Sequence, residues 1–333
     1  MENLVEHRVK GYKSMPSISV IMLTYNREKF VERAVKSVLE QTFKDFEMII
    51  VDNGSTDSSG DICEKLAQQD TRIKVIHKNK GNIGSGRNAG LDVANGEYVA
   101  FIDDDDYCMP GFLDFLYGLT IAYDADIAVC GSYIEEDGIL SPNGRYVYDE
   151  LYIMDAYKAV EKYLWRQLYN CAMPTKLVRR HLFEQIRFSV EGSYDDINTA
   201  YKYFSNATKI VAHGKPHYVF YRHAGNNSSA ATKHHLLNPV QLNEYLQAFH
   251  ERTDYISKVL PKLTALSRYS EWSYMLSMIE KIQRFQLTNC NDIMKYMKEQ
   301  IGSNLNEFLT GSFVLDFEKE WLDAFILKKE KRS

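Results

Sequence analysis

The chain has 333 residues, 45% hydrophobic and 26% charged, the proportions of a folded globular protein, which excludes a wholly disordered, collagen-like or coiled-coil chain. Forty Lys and Arg against 45 Asp and Glu leave a formal charge of -5, so no bulk basic field exists to hold a nucleic-acid backbone, and nucleic acid is not an expected partner. This length suits one large α/β domain with an appended element, or two ordinary domains.

Met1 to Ser17 is polar and mixed in charge, without the apolar core of a signal peptide, and no 18-residue apolar span follows. Cys63, Cys108, Cys130, Cys171 and Cys290 lie far apart with no C-x-x-C pair, which argues against a zinc ribbon or a disulfide framework and for a reducing compartment. The expectation is a cytoplasmic protein, with peripheral attachment to the inner membrane face left open.

From Ile18 to Ile134 short apolar runs alternate with helical patterns. The runs Ile18 to Leu23, Phe46 to Val51, Ile73 to Ile76, Tyr98 to Ile102 and Ile127 to Cys130 are nearly continuous in hydrophobicity, which suits strands covered on both faces. Between the first two, Phe30, Val31, Ala34, Val35, Val38 and Leu39 recur at helical spacing, and Asp57 ahead of Ile62 and Leu66 reads as the cap of a second crossover helix. The pattern is βαβαβ, predicting a Rossmann-like, mostly parallel sheet flanked by helices.

Past residue 135 the segments shorten. Ile197, Ala200, Tyr201 and Phe204 mark a helix, Tyr218 to Tyr221 an aromatic strand, and Ala224 to Thr232 a small-residue loop expected to be mobile. Beyond about Asn238 only helical patterns remain, interrupted at Gly302 and Gly311, so an α-helical C-terminal extension is expected. The predicted units are 1–235 and 236–333.

Asp103-Asp-Asp-Asp106 follows the strand Tyr98 to Ile102 at its carboxyl end, the edge where open α/β sheets collect ligands. Four adjacent carboxylates repel one another unless a cation or hydrogen-bond donors hold them, and a hard divalent cation, Mn²⁺ or Mg²⁺, shared with substrate phosphates meets that need. An EF-hand fails, because its sixth and twelfth places hold Cys108 and Asp114. The stretch Lys80 to Gly90 contains Gly84-x-Gly86-x-x-Ala89, a formal dinucleotide fingerprint, but it follows the third strand rather than the first. It still offers backbone N–H groups and Arg87 to an anion; the plainer reading is that its glycines permit tight helix–sheet packing. Thr24-Tyr25-Asn26 and Asp52 to Asp57 end two strands at the same edge, and Asp52 could accept from a base N–H while Thr24 to Asn26 clasp the ring.

Taken in order, Ser19 to Asn26, Gln41-Thr42, Ile49 to Asp57, Asn82 to Gly90 and Phe101 to Asp106 resemble the successive signatures of family 2 glycosyltransferases with the GT-A fold, of bacterial surface-glycan or capsule type. The resemblance is strong over residues 16 to 135 and weaker to about 225. It implies inverting transfer of a sugar from a nucleotide diphosphate donor, most often a UDP-sugar, to a hydroxyl of a glycan or lipid-linked acceptor. By the same resemblance Thr24, Tyr25, Asn26, Asp52, Asn82, Arg87, Asp103 and Asp104 would form the nucleotide site. Asp103 to Asp105 would be the D-x-D element, with Asp105, helped by Asp103, on the metal.

Inversion in one displacement needs a carboxylate to deprotonate the acceptor hydroxyl. The family carries an acidic pair at the head of a helix, usually Glu-Asp; here it is Asp195-Asp196, with Asp196 chosen as base and an ordinary helix cap as the plain alternative. Tyr221-Arg-His resembles the family segment leading into a loop over the diphosphate, which makes Arg222 and His223 candidates for phosphate or metal. Any single histidine is more commonly packed or solvated, and His213 with His217 is discounted as a zinc pair. Trp165, Tyr169 and Lys176 fall where an acceptor would lie, though aromatic stripes usually form core.

Trp321, Leu322, Phe325, Ile326 and Leu327 before Lys328 to Arg332 suit an interfacial helix, or equally a helix packed on its own domain or a second subunit, so a membrane-surface contact and a homodimer are both carried forward. The chain lacks the Q-x-x-R-W element and membrane spans of processive synthases, favouring single additions. Two alternatives stand beside this reading: a nucleotidyltransferase acting on sugar phosphates, and a non-catalytic nucleotide-sugar-binding subunit.

Overall fold

The computed structural model describes residues 15–141, 144–223, 225–226 and 234–327. The strands are β1 (Ile18–Thr24), β2 (Phe46–Asp52), β3 (Ile73–His77), β4 (Tyr98–Asp103), β5 (Tyr107–Cys108), β6 (Ile127–Glu136), β7 (Ile139–Ser141), β8 (Leu151–Met154), β9 (Lys176–Arg179) and β10 (Ile210–Arg222). They form one sheet in the order β3-β2-β1-β4-β9-β6-β10-β5, with β7 on β6 and β8 on β10. β3, β2, β1 and β4 run parallel, as do β6 and β10, while β5, β7, β8 and β9 pair antiparallel. This is a GT-A Rossmann-like fold.

The first half carries crossover helices α1 (Val31–Leu39), α2 (Ser59–Gln69) and α3 (Ile83–Val93), followed by α4 (Phe112–Tyr123), α5 (Ala156–Leu164) and α6 (Ala200–Asn206). Side chains alternate across the sheet: Val20, Met22, Met48 and Ile50 join one buried layer with α1 and α4, whereas Ile21, Ile49 and Val51 join the other. Each fully buried aliphatic of this kind contributes about 1.5–3 kcal/mol. Asp57 stands one residue ahead of the Ser58 N-cap of α2, its carboxylate accepting from the Ser59 and Glu28 backbone N–H groups. Likewise α6 starts at Ala200 rather than Ile197, because residues 195–199 are turns in which Asp196 O accepts from Thr199 and Ala200.

The extension consists of α7 (Pro239–Val259), α8 (Thr264–Arg284), α9 (Asn291–Ser303), α10 (Leu305–Thr310) and α11 (Asp316–Leu322). Asn238 caps α7 by accepting from Gln241 N–H. Leu242, Leu276, Ile279, Met297, Ile301 and Leu322 are buried in the same hydrophobic cluster as Ile21 and Phe101 of the sheet, so one core runs from sheet to extension. Trp321, Phe325 and Ile326 pack against that cluster. Lys328 to Arg332, and the loop expected at Ala224 to Thr232 except Gly225 and Asn226, lie outside the described residues. Among the described residues no helix is long and apolar enough to cross a membrane.

Candidate active site

The carboxyl ends of β1, β2 and β4 open on a cavity of ≈1070 Å³, roofed by residues 192–197 and by α7. Small-molecule pockets commonly measure about 300–1,000 Å³, so this cavity stands at the large end of that range.

One end is built from the loops after β1 and β2. Thr24 is buried at the tip of β1, and Tyr25 and Asn26 line the cavity. Asn26 adopts φ 54°, which lets its side-chain oxygen accept from Thr56 N–H at 2.8 Å and ties the two loops together. Lys80 Nζ lies 4.6 Å from the Tyr25 ring centroid. Asp52 is buried and does not line the cavity: its carboxylate accepts from Ser55 N–H at 2.9 Å and meets His77 Nδ1 at 3.0 Å. Burial opposes its ionisation, but Ser55 and His77 together hold it below its ordinary pKa. Asn53, which the sequence did not single out, lines the cavity in its place.

The glycine-rich helix α3 is capped by Asn82, whose oxygen accepts from Ser85 N–H at 2.9 Å while its amide donates to Ser189 O and Gly192 O at 3.2 and 3.3 Å. A Cβ on Gly84 would stand 1.9 Å from the Ser189 carbonyl oxygen, and one on Gly86 would stand 2.5 Å from a Leu23 methyl. These glycines therefore serve close packing of helix, sheet and the 189–195 segment.

The four aspartates diverge. Asp106 accepts from Tyr218 Oη at 3.0 Å and Tyr221 N–H at 2.8 Å, and so anchors β10. Asp104 accepts from Tyr25 N–H at 3.2 Å with Arg27 Nε 3.6 Å away, shaping the first loop. Asp105 Oδ2 receives His223 Nε2 at 3.0 Å and Asn226 Nδ2 at 3.1 Å. Gly225 N–H donates to His223 Nδ1, which fixes the proton on Nε2, so in this arrangement His223 holds Asp105 through a hydrogen bond. Asp103 is more open and lies 3.7 Å from Arg87.

Burial, with repulsion from Asp105 and relief from Arg87, raises Asp103 to about 6; burial and Asp105 raise Asp104 to about 8. Crowded carboxylates disfavoured as anions are a donor set that a hard cation suits. Among the described residues no group of three acidic, histidine or cysteine side chains is gathered at metal-binding distances, so a cation here would draw on Asp103 and Asp105, with its other positions filled by phosphate and water.

Arg87 is buried and grips both oxygens of Asp195, at 2.9 and 2.8 Å. Asp196 lines the cavity and is half-buried, with the Ile197 N–H on one oxygen at 2.9 Å and no ion pair among the described residues. Its charge, after burial, helps push up the pKa of the Cys171 thiol beside it. Arg222 closes this part of the wall at the end of β10. Trp165 and Tyr169 are core, Trp165 against Tyr269 and Tyr169 stacked on Phe204, and Lys176 is buried with its ammonium on Ala172 O. The cavity is also lined by Arg145, Tyr146, Tyr163, Arg166, Tyr245, Phe249 and Arg252, none of which the sequence singled out. The only linear signal was the i, i+4, i+7 spacing of Tyr245, Phe249 and Arg252, which places them on one face of α7.

The family model for glycosyl transferase family 2 matches residues 19–187. The chain is 33% identical over 217 residues to glycosyltransferase GlyG of Streptococcus pneumoniae, covering 62% of this chain and 71% of that one. It spans between 32% and 50% of the length of three further curated relatives, GlyA of S. pneumoniae and EpsJ and EpsH of Bacillus subtilis. Its fold is that of TarS from S. aureus, solved with UDP (TM-score 0.62, 22% identity, 94% of this chain and 84% of that one). It also resembles the mannosyltransferase PcManGT from Pyrobaculum calidifontis, solved with GDP-Man and Mn²⁺ (TM-score 0.57, 15% identity, 96% and 87%).

Proposed function

Because this chain belongs to glycosyl transferase family 2, we propose that it moves a sugar from a UDP-sugar to a hydroxyl of a glycan or lipid-linked acceptor in surface polysaccharide synthesis, with inversion, in one displacement. Tyr25, Asn26 and Asn53 face the nucleoside and Arg222 the diphosphate. Asp103 and Asp105 hold Mn²⁺ or Mg²⁺, which when bound offsets the negative charge of the departing diphosphate. Asp196 takes the acceptor proton as the hydroxyl oxygen forms its bond to the anomeric carbon, and the electron pair of the broken C–O bond leaves with UDP.

The observation that carries this reading is the division of labour in the acidic pair. Asp195 is consumed by Arg87, whereas Asp196 faces the cavity without a cationic partner among the described residues. A base must come within hydrogen-bond reach of the proton it abstracts, and the place of Asp196 on the cavity lining supports that role.

The test is incubation of the protein with UDP-sugars, Mn²⁺ and a mixture of acceptor glycans. Release of UDP by the wild type, lost in Asp196→Asn, is the expected result. Pyrophosphate released from nucleoside triphosphate plus sugar phosphate would identify a nucleotidyltransferase, and absence of turnover in both proteins would identify a binding subunit.

A further inference from the structure

Three guanidinium groups line the cavity in addition to Arg27, Arg87 and Arg222. Arg145 and Tyr146 follow the β6–β7 hairpin, Arg166 follows α5, and Arg252 comes from α7. Among the described residues none of the three has a carboxylate oxygen within 4.0 Å, although 20 such ion pairs occur elsewhere in the chain. Arg252 is 3% exposed, lies over the Phe249 ring at 4.2 Å, and donates to Ser270 Oγ at 3.0 Å, yet its Nε has no partner. An unsatisfied donor on a buried cation is costly unless something outside the chain supplies the acceptor.

The like charges act on one another. Burial first, then Arg222 and Arg166, lower the Arg145 pKa; burial first, then Arg166 against the opposing Tyr163, lower that of Arg252. Tyr146 and Arg166 are both held at positive φ, 57° and 51°, a conformation that costs bulky side chains on the order of 1–3 kcal/mol. Asp103 to Asp105 and Asp195 of the cavity do not answer these charges, since they lie against Arg27 or Arg87.

We infer that the acceptor carries a phosphate group, and that Arg145, Arg166 and Arg252 hold it while Asp196 receives the proton of the acceptor hydroxyl. This rests on the transferase reading above and adds the charge class of its second substrate. Guanidinium forks match phosphate oxygens in pairs, and three of them suit a phosphate dianion better than a single carboxylate. Tyr163, Tyr245 and Phe249 of the same cavity supply flat apolar faces for a saccharide or lipid attached to that phosphate.

The experiment uses protein first saturated with UDP and Mg²⁺, so that the donor end is filled. Inorganic phosphate, glucose 1-phosphate, farnesyl pyrophosphate and glucuronate are then titrated calorimetrically. Phosphate compounds should bind the UDP-loaded protein, and Arg166→Gln and Arg145→Gln should each weaken that binding about tenfold or more with UDP affinity unchanged. Tighter binding of glucose 1-phosphate than of farnesyl pyrophosphate would place the phosphate on a glycan, and the reverse order on a lipid carrier; both support the inference. Phosphate that binds only when UDP is absent, variants that bind it like the wild type, or a preference for glucuronate would each overturn it. Failure to bind UDP at the outset would count against the transferase reading instead.

Discussion

Arg87 of α3 and Asp195 of the segment before α6, 108 residues apart, form an ion pair in the interior in which Arg87 Nη1 contacts both carboxylate oxygens, at 2.9 and 2.8 Å, while the adjacent Asp196 has no ion pair among the described residues. The pair fastens the glycine-rich helix to the acidic segment. Removing one member strands a buried charge, so Asp195→Ala should cost about 3–5 kcal/mol of stability. The joint replacement Arg87→Met with Asp195→Leu should recover most of it. Denaturant melts of the three proteins measure this, and equal midpoints for wild type and Asp195→Ala would refute it.

Asp196→Asn keeps the size of the side chain and the Ile197 contact but cannot accept a proton. Transfer should fall by about 10²–10⁴ while UDP affinity and the melting temperature stay put. A parallel loss of UDP binding would assign the residue to substrate holding instead.

Asp105→Ala should abolish the Mn²⁺-dependent part of UDP affinity, and chelation of the metal should do the same to the wild type. His223→Ala removes one of the two donors that fix the Asp105 carboxylate and should weaken the same affinity by a smaller factor. Calorimetry with and without Mn²⁺ reads both, and unchanged affinity in Asp105→Ala rules out this site.

Gly84→Ala places a methyl group 1.9 Å from the Ser189 carbonyl, an overlap with backbone that side-chain rotation cannot relieve. It should destabilise by about 1–3 kcal/mol and impair transfer by displacing the 189–196 segment. Gly118→Ala, which meets nothing within 4 Å, serves as the control.

Burial lowers the Lys176 pKa to about 8, from an ordinary value of 10.5. Between those two values the unfolded chain holds a proton that the folded one has released, so stability rises with pH across that window and is lost again as pH falls to about 8. Lys176→Met should remove this slope and add on the order of 3 kcal/mol at neutral pH. Melting temperatures of both proteins from neutral to alkaline pH test it: parallel curves would mean that the ammonium is not penalised.

Much of the first half was legible in the linear chain because β1 to β4 are buried on both faces and show as apolar runs, with their polar ends marking one sheet edge. The short strands β5, β7, β8 and β9 were not, since two to four residues carry no period and owe their pairing to neighbours. Nor was the length of β10, whose register shifts between His213 and Tyr218 and hides the alternation.

The amino-acid order by itself determined the family, the sheet edge on which the cavity opens and the presence of an acidic pair, because each is written in contiguous residues whose spacing is set by strand and turn geometry. Only the tertiary structure decided which carboxylate of Asp195 and Asp196 pairs with Arg87, that Asp106 anchors β10, and that Arg145, Arg166 and Arg252 line one cavity. A side chain's direction depends on the partner that satisfies its charge, and here those partners come from segments about a hundred residues away, which no local pattern records.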